Sequence, residues 1–106
     1  MAEKEEQPIV EWTETAEIQL INVLNYWTER NKSTSYAEKL SEAVWLRTTF
    51  LAENPFSSIK TDFSNTRKAA LGHYSILYQV SINGILVTSF WDNRQDPKKL
   101  YALLKP

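Results

Sequence analysis

Cysteine is absent from the 106 residues, histidine occurs once and glycine twice. Without cysteine there can be no thiolate zinc site, no thiol nucleophile and no disulfide exchange. Gly72 and Gly84 stand too far apart for a dinucleotide fingerprint or a phosphate-cradling loop. A lone imidazole, His73, makes a poor start for a metal centre. No apolar run approaches the ~20 residues of a membrane helix. Residues 1–6 are charged and lack the apolar stretch of a signal peptide. The chain therefore reads as one cytoplasmic domain over residues 1–106, with no cofactor, no metal and no membrane partner. At this length a single core buries roughly two-thirds of the unfolded surface, so no covalent staple is needed.

What is present is unevenly charged. The formal net charge is −1. Residues 1–31 carry seven acidic and two basic side chains, residues 32–65 four of each, and residues 66–106 two acidic and six basic. The basic last third suits an anionic partner. A protein held mainly by phosphate contacts is usually basic overall, and this one is not.

The periodicity predicts an α+β domain in the order β-α-α-β-β-β with a short tail helix. Residues 1–7 read as a flexible lead into a strand at Ile9-Val10-Glu11-Trp12. Thr13 can cap a helix whose first turn holds Glu14 and Glu17, where the helix dipole favours carboxylates. Ala16, Leu20, Val23, Leu24 and Trp27 make its apolar face. Ser35 and Glu38 have the spacing of a capping box. The helix that follows carries Ala37, Leu40, Val44 and Leu51, and Pro55 ends it. Residues 56–65 read as a loop. Thr66 to Leu71 predicts a strand turning at Gly72-His73 into Tyr74–Ile82, which alternates with period two. With Asn83-Gly84 as a two-residue turn, Val80 faces Val87 and Ile76 faces Trp91. A helical hairpin then lies on a mainly antiparallel sheet, and residues 97–106 form the tail helix. Trp12, Trp27 and Trp45 read as core, while Phe90 and Trp91 point to opposite faces.

These residues resemble the RelE/ParE superfamily of toxins from bacterial type II toxin–antitoxin modules. The resemblance runs from Val10 to Lys99. It rests on Val10-Glu11-Trp12-Thr13 with Ala16 and Leu20, on Ala37, Leu40 and Leu51 before Pro55, and on Tyr74-Ser75-Ile76-Leu77-Tyr78. The last is followed by Ile85 to Trp91 and by Asp92-Asn93-Arg94-Gln95-Asp96-Pro97. It implies a growth-inhibiting toxin, as in plasmid stabilisation, neutralised by a cognate antitoxin in a hetero-oligomer, or able to form a homodimer. RelE-like members cut messenger RNA on the ribosome, which needs cations at the scissile phosphate and a group that moves protons. ParE-like members bind DNA gyrase and perform no chemistry.

On the residues that match the nuclease pattern, the catalytic set implied here is Lys68, Arg94 and Tyr101, with His73 auxiliary. The set is incomplete. The arginine of the family's middle strand falls at Ser75, and the lysine expected two residues before Lys68 is Thr66. The reading therefore favours a ParE-like binder of an essential protein such as gyrase over an enzyme. A ribosome-dependent endoribonuclease and a non-toxic, degenerate member are the alternatives. For partner contact the implied residues are Phe90, Trp91, Arg94, Lys98 and Lys99. Each also has a plain structural reading: the lysines as a solvated face, and Arg94 as a partner for Asp92 or Asp96.

Overall fold

The computed structural model describes residues 7–95. The expectations for residues 1–6, the tail helix, Tyr101, Lys98 and Lys99 lie outside them. The elements run β1 (Ile9–Trp12), α1 (Glu14–Asn31), α2 (Ser35–Glu53), β2 (Ile59–Lys60), β3 (Arg67–Leu71), β4 (Tyr74–Ser81) and β5 (Gly84–Asp92). One five-stranded sheet has the order β1-β5-β4-β3-β2. All its pairs are antiparallel except β1 with β5. The α+β class and the element order follow the sequence reading, with one addition: two residues of the expected 56–65 loop pair with β3 as β2.

Local chemistry sets the helix ends. Thr13 is extended, and its hydroxyl accepts the Ala16 amide at 3.1 Å. This satisfies one of the donors left over at a helix start. α1 closes on Lys32 in the left-handed conformation, whose amide donates to the Thr28 carbonyl. α2 starts differently from the expected capping box. Thr34 takes the cap position and its hydroxyl donates to the Glu38 carboxylate at 3.0 Å, while Ser35 already lies inside the helix. Asn54, before Pro55, leaves helical geometry (φ −135°, ψ 62°) and ends α2.

Both helices cover one face of the sheet. Ala16, Leu40, Val44, Leu51 and Ala52 pack there against Ala69, Tyr74, Ile76, Tyr78, Ile85, Val87 and Phe90. Trp12 and Trp27 join this core partly buried, but Trp45 is 64% exposed. Its exposure corrects the core assignment. The buried stripe of α2 runs through positions 37, 40, 44, 48 and 51, and residue 45 falls off it.

The β4–β5 hairpin departs from the expected register. Ser81 pairs with Gly84, Val80 with Ile85 and Tyr78 with Val87, so Ile82-Asn83 form the turn. Beyond Tyr78 the register shifts by one, leaving Thr88 as the extra residue of a β-bulge. The bulge reverses the alternation, so Ile76 pairs with Phe90 and Ser75 with Trp91. Phe90 turns into the helix-covered core, stacked on Tyr74 with ring centroids 4.9 Å apart. Trp91 takes the other face beside Leu77, and both are buried there as well.

Gly84 is fixed by close approach. A Cβ there would lie 1.9 Å from the Ile9 carbonyl oxygen. The Ile9 amide donates to Asn83 and the Thr13 amide to Val87, at 2.7 and 3.0 Å, which ties β1 to β5 at both ends. Gly84→Ala should cost about 1–3 kcal/mol, the usual scale of overpacking, read as a lowered denaturant midpoint. Leu51, fully buried, should cost about 2–5 kcal/mol on truncation to Ala. Trp45→Ala should stay within about 0.5 kcal/mol of wild type, as exposed positions do. An equal loss for Leu51→Ala and Trp45→Ala would refute this core.

Candidate functional site

A groove of about 610 Å³ opens between α1 and the end of β5. Helical spacing builds one wall. Gln19, Asn22, Tyr26 and Arg30 recur every three or four residues along a single side of α1. The opposite wall is Tyr74, Phe90, Trp91, Asp92, Arg94 and Gln95. The groove mixes aromatic area with amide, hydroxyl and guanidinium groups, the composition of a recognition site.

Its floor is held by polar bonds that local sequence does not announce. Gln19 Oε1 accepts both the Ser89 hydroxyl (3.0 Å) and the Phe90 amide (2.8 Å). Those are donors of the bulged strand, and Ser89 is fully buried. Leaving such donors unpaired costs about 1–3 kcal/mol each, so Gln19 ties α1 to β5 just beyond the bulge. Trp27 Nε1 donates to the Tyr74 hydroxyl at 2.9 Å, with Tyr26 and Tyr36 both packed on the Trp27 ring.

Arg94 is the cation on the β5 side. Its Nε and Nη2 donate to the two oxygens of Asp92 at 2.9 and 2.8 Å, and its amide donates to the same carboxylate. The Arg94 hydrogen bonds, opposed by partial burial, hold the Asp92 carboxyl below its ordinary range, and Asp92 in turn raises Arg94. The sign follows. This pairing is intact above the usual carboxylate range near pH 4 and weakens as pH falls through the lowered Asp92 value. Half of Arg94 remains exposed, so it is oriented without being occupied.

A second, smaller groove of about 340 Å³ lies on the sheet face away from the helices. Ile59 to Phe63, Lys68, Leu77, Trp91, Asn93 and Gln95 line it. Lys68 is exposed there, opposite Leu77 on β4. Arg67 points the other way, donating to the Phe56 and Ser58 carbonyls. Lys68 and Arg94 thus line different grooves, separated by a shared wall of Trp91 and Gln95. His73 is exposed in the β3–β4 turn, where Gly72 supplies the positive φ, and lines neither groove. Ser75, where the family arginine was expected, is buried and donates to Asn93 Oδ1 at 2.7 Å. Phe90 and Trp91 reach the main groove only as walls, since both are more than nine-tenths buried.

Sequence reasoning passed over Gln19, Asn22, Tyr26 and Arg30. Their three- and four-residue spacing was visible, but it reads as a solvated helix side until β5 is placed beneath it.

No protein-family model matches the chain, and no curated protein matches it. Among solved structures it is similar to a chain of the chromosomal ParDE TA system from P. aeruginosa. The TM-score is 0.68 at 14% identity, over 81% of this chain and 96% of that one. With the strand order and helical hairpin described above, this similarity shows that the two chains share a fold.

Proposed function

We propose that this chain is the toxin of a two-gene toxin–antitoxin module of the plasmid-stabilisation kind. It acts in the cytoplasm by binding an essential protein, such as DNA gyrase, and a cognate antitoxin neutralises it. The fold likeness to a ParDE system supports the module. The observation that favours binding over cleavage is the disposition of the cations. Arg94 is tied to Asp92, Lys68 stands in a separate groove, and the middle-strand arginine is replaced by Ser75, closed under Asn93. A phosphoryl-transfer site needs converging positive charge and a proton-moving group at one point. The placing of Lys68 and Arg94 on different grooves, with Arg94 paired to Asp92, supports binding over cleavage.

The groove between α1 and β5 suits a partner that presents hydrogen-bonding and aromatic groups rather than a bare phosphate chain. Arg30 and Arg94 against Asp92 leave it one net positive charge among its lining residues. Target contact is assigned to Arg94 with the rim around it.

Inducible expression should arrest growth, and co-expression of the adjacent reading frame should relieve it. The two products should co-purify at moderate salt, and separate elution would remove the module reading. Purified protein should inhibit gyrase supercoiling, and Arg94→Ala should reduce that inhibition roughly tenfold, as loss of a well-placed interface arginine does. Ribosome-dependent messenger cleavage that is lost in Lys68→Ala and Arg94→Ala, with gyrase untouched, would install the endoribonuclease instead.

A further inference from the structure

A pocket of about 390 Å³ lies toward the far end of β4 from Arg94. It is lined by Phe56, Lys60, Arg67, Gln79 and Val80 and by the turn from Thr61 to Thr66. The pairing of Arg67 with Tyr78 carries Gln79 and Val80 past the start of β3 to this end of the sheet. The pocket shares no lining residue with the Arg94 groove and meets the Lys68 groove at Lys60, Thr61 and Phe63.

The turn uses its own hydroxyls. The Thr61 amide and hydroxyl both donate to the Thr66 carbonyl, at 3.0 and 2.9 Å, and the Thr66 hydroxyl donates to the Ser64 carbonyl at 3.0 Å. Asn65 supplies the positive φ, 56°, which asparagine tolerates better than most residues. What lines the pocket without a partner among the described residues is the Lys60 ammonium and the side-chain amides of Asn65 and Gln79. Phe56 adds a ring that is 70% exposed, with the Arg67 guanidinium 5.4 Å from its centroid.

The charge of the lining is uncompensated. Lys60 and Arg67 are its charged residues, and neither is ion-paired among the described residues. Asp62 belongs to the same turn but lines the Lys68 groove, as Lys68 does, and Glu53 ends α2 without lining the pocket. Arg67 is met by carbonyl dipoles alone. Its Nη2 donates to the Phe56 and Ser58 carbonyls, and its Nε is buried without a hydrogen-bond partner. Buried polar groups are nearly always paired, so an orphaned guanidinium nitrogen marks a wall whose positive charge is under-satisfied.

From this combination we infer that the pocket binds a free nucleoside monophosphate. Its base would stack on Phe56, a contact that suits any base because each has a π face. The amides of Asn65 and Gln79 each offer donors and an acceptor, the complement of a base edge. Lys60 would hold the phosphate in the field of Arg67. The volume is that of a small-molecule site rather than a protein interface. A bare inorganic anion would leave Phe56 and Val80 in water, and a neutral ring would leave both cations unmet. The inference does not rest on the toxin reading, because Arg94 and its groove take no part in it.

The test titrates the isotope-labelled full chain with adenosine 5′-monophosphate, followed by amide NMR and calorimetry. Binding should saturate with a Kd below about 1 mM. It should move the side-chain amide signals of Asn65 and Gln79 and leave that of Asn22, in the Arg94 groove, in place. Adenosine lacks the phosphate and inorganic phosphate lacks the ring, so each should bind at least roughly tenfold more weakly. Added salt should weaken the nucleotide. Phe56→Ala and Lys60→Ala should each weaken it by roughly tenfold. Both side chains are exposed, so the thermal transitions should stay near the wild-type value, and Gln79→Ala gives an independent loss. Lys39→Ala, which removes the same charge from an exposed site on α2, should bind like wild type. Absence of saturation at millimolar nucleotide, equal binding of inorganic phosphate, or shifts confined to Asn22 would overturn the inference. So would a short single-stranded RNA that binds where the mononucleotide does not, because the surface would then track a strand.

Discussion

The parallel docking of β1 on β5 is the constraint on which the rest of the molecule depends. It requires Gly84, because the Ile9 backbone occupies the space of a Cβ. Four residues later the same ladder delivers Thr13, whose amide is bound by Val87 and whose hydroxyl starts α1. A strand this short contributes little alone. Its value lies in fixing where the first helix begins and how it leans across β5. From that start Gln19 reaches the bulged strand, and one side of α1 comes to overhang the end of β5. Loosening the pairing at Gly84 would therefore shift a wall of the main groove as well as an edge of the sheet.

The bulge at Thr88 is the second determinant. Strict alternation would send residues 87 and 90 to opposite faces, because an odd number of steps separates them. One extra residue brings Val87 and Phe90 together on the helix side and moves Trp91 to the other. Phe90 can then stack on Tyr74, and Trp91 becomes the partition between the Arg94 groove and the Lys68 groove. The separation of those two cations, which bears on binding against cleavage, thus begins with a single inserted residue. Just beyond the bulge, the Ser89 hydroxyl and the Phe90 amide are bound by Gln19, from an element about seventy residues away in sequence.

Features set by near neighbours were legible in the sequence. The Thr13 cap, the end of α2 before Pro55, the turn at Gly72-His73 and the alternation of β4 each depend on a few adjacent residues. Features set by distant partners were not. Asn83-Gly84 has the composition of a two-residue turn, yet the turn is Ile82-Asn83, since Gly84 is needed one step later to admit Ile9. Trp45 looks like core by residue type, and only the angular position of the buried α2 stripe places it outside. Arg94 could be singled out as a functional cation, but its company could not, because Asn22, Tyr26 and Arg30 become a site only above β5. The α+β class and element order implied by the resemblance are those of the sheet and helical hairpin, whereas Lys68 and Arg94 of the implied catalytic set line different grooves. A fold fixes backbone positions, while a site needs particular side chains on one face.

The two helices divide their surfaces differently. Only Ala16 of the 18 residues of α1 is fully buried, whereas α2 buries six of 19. Most helix stability in proteins comes from a packed apolar face, and in α1 that face is Ala16 with the partly buried Leu20, Val23, Leu24 and Trp27. α1 divides its surface three ways. A narrow stripe holds the sheet, one side presents Gln19, Asn22, Tyr26 and Arg30, and the other presents Glu17 and Ile21. Because the stripe that holds the sheet is narrow, the rest of the helix surface is left for side chains that serve neither the core nor the sheet, and the main groove is built from that surplus together with the end of β5.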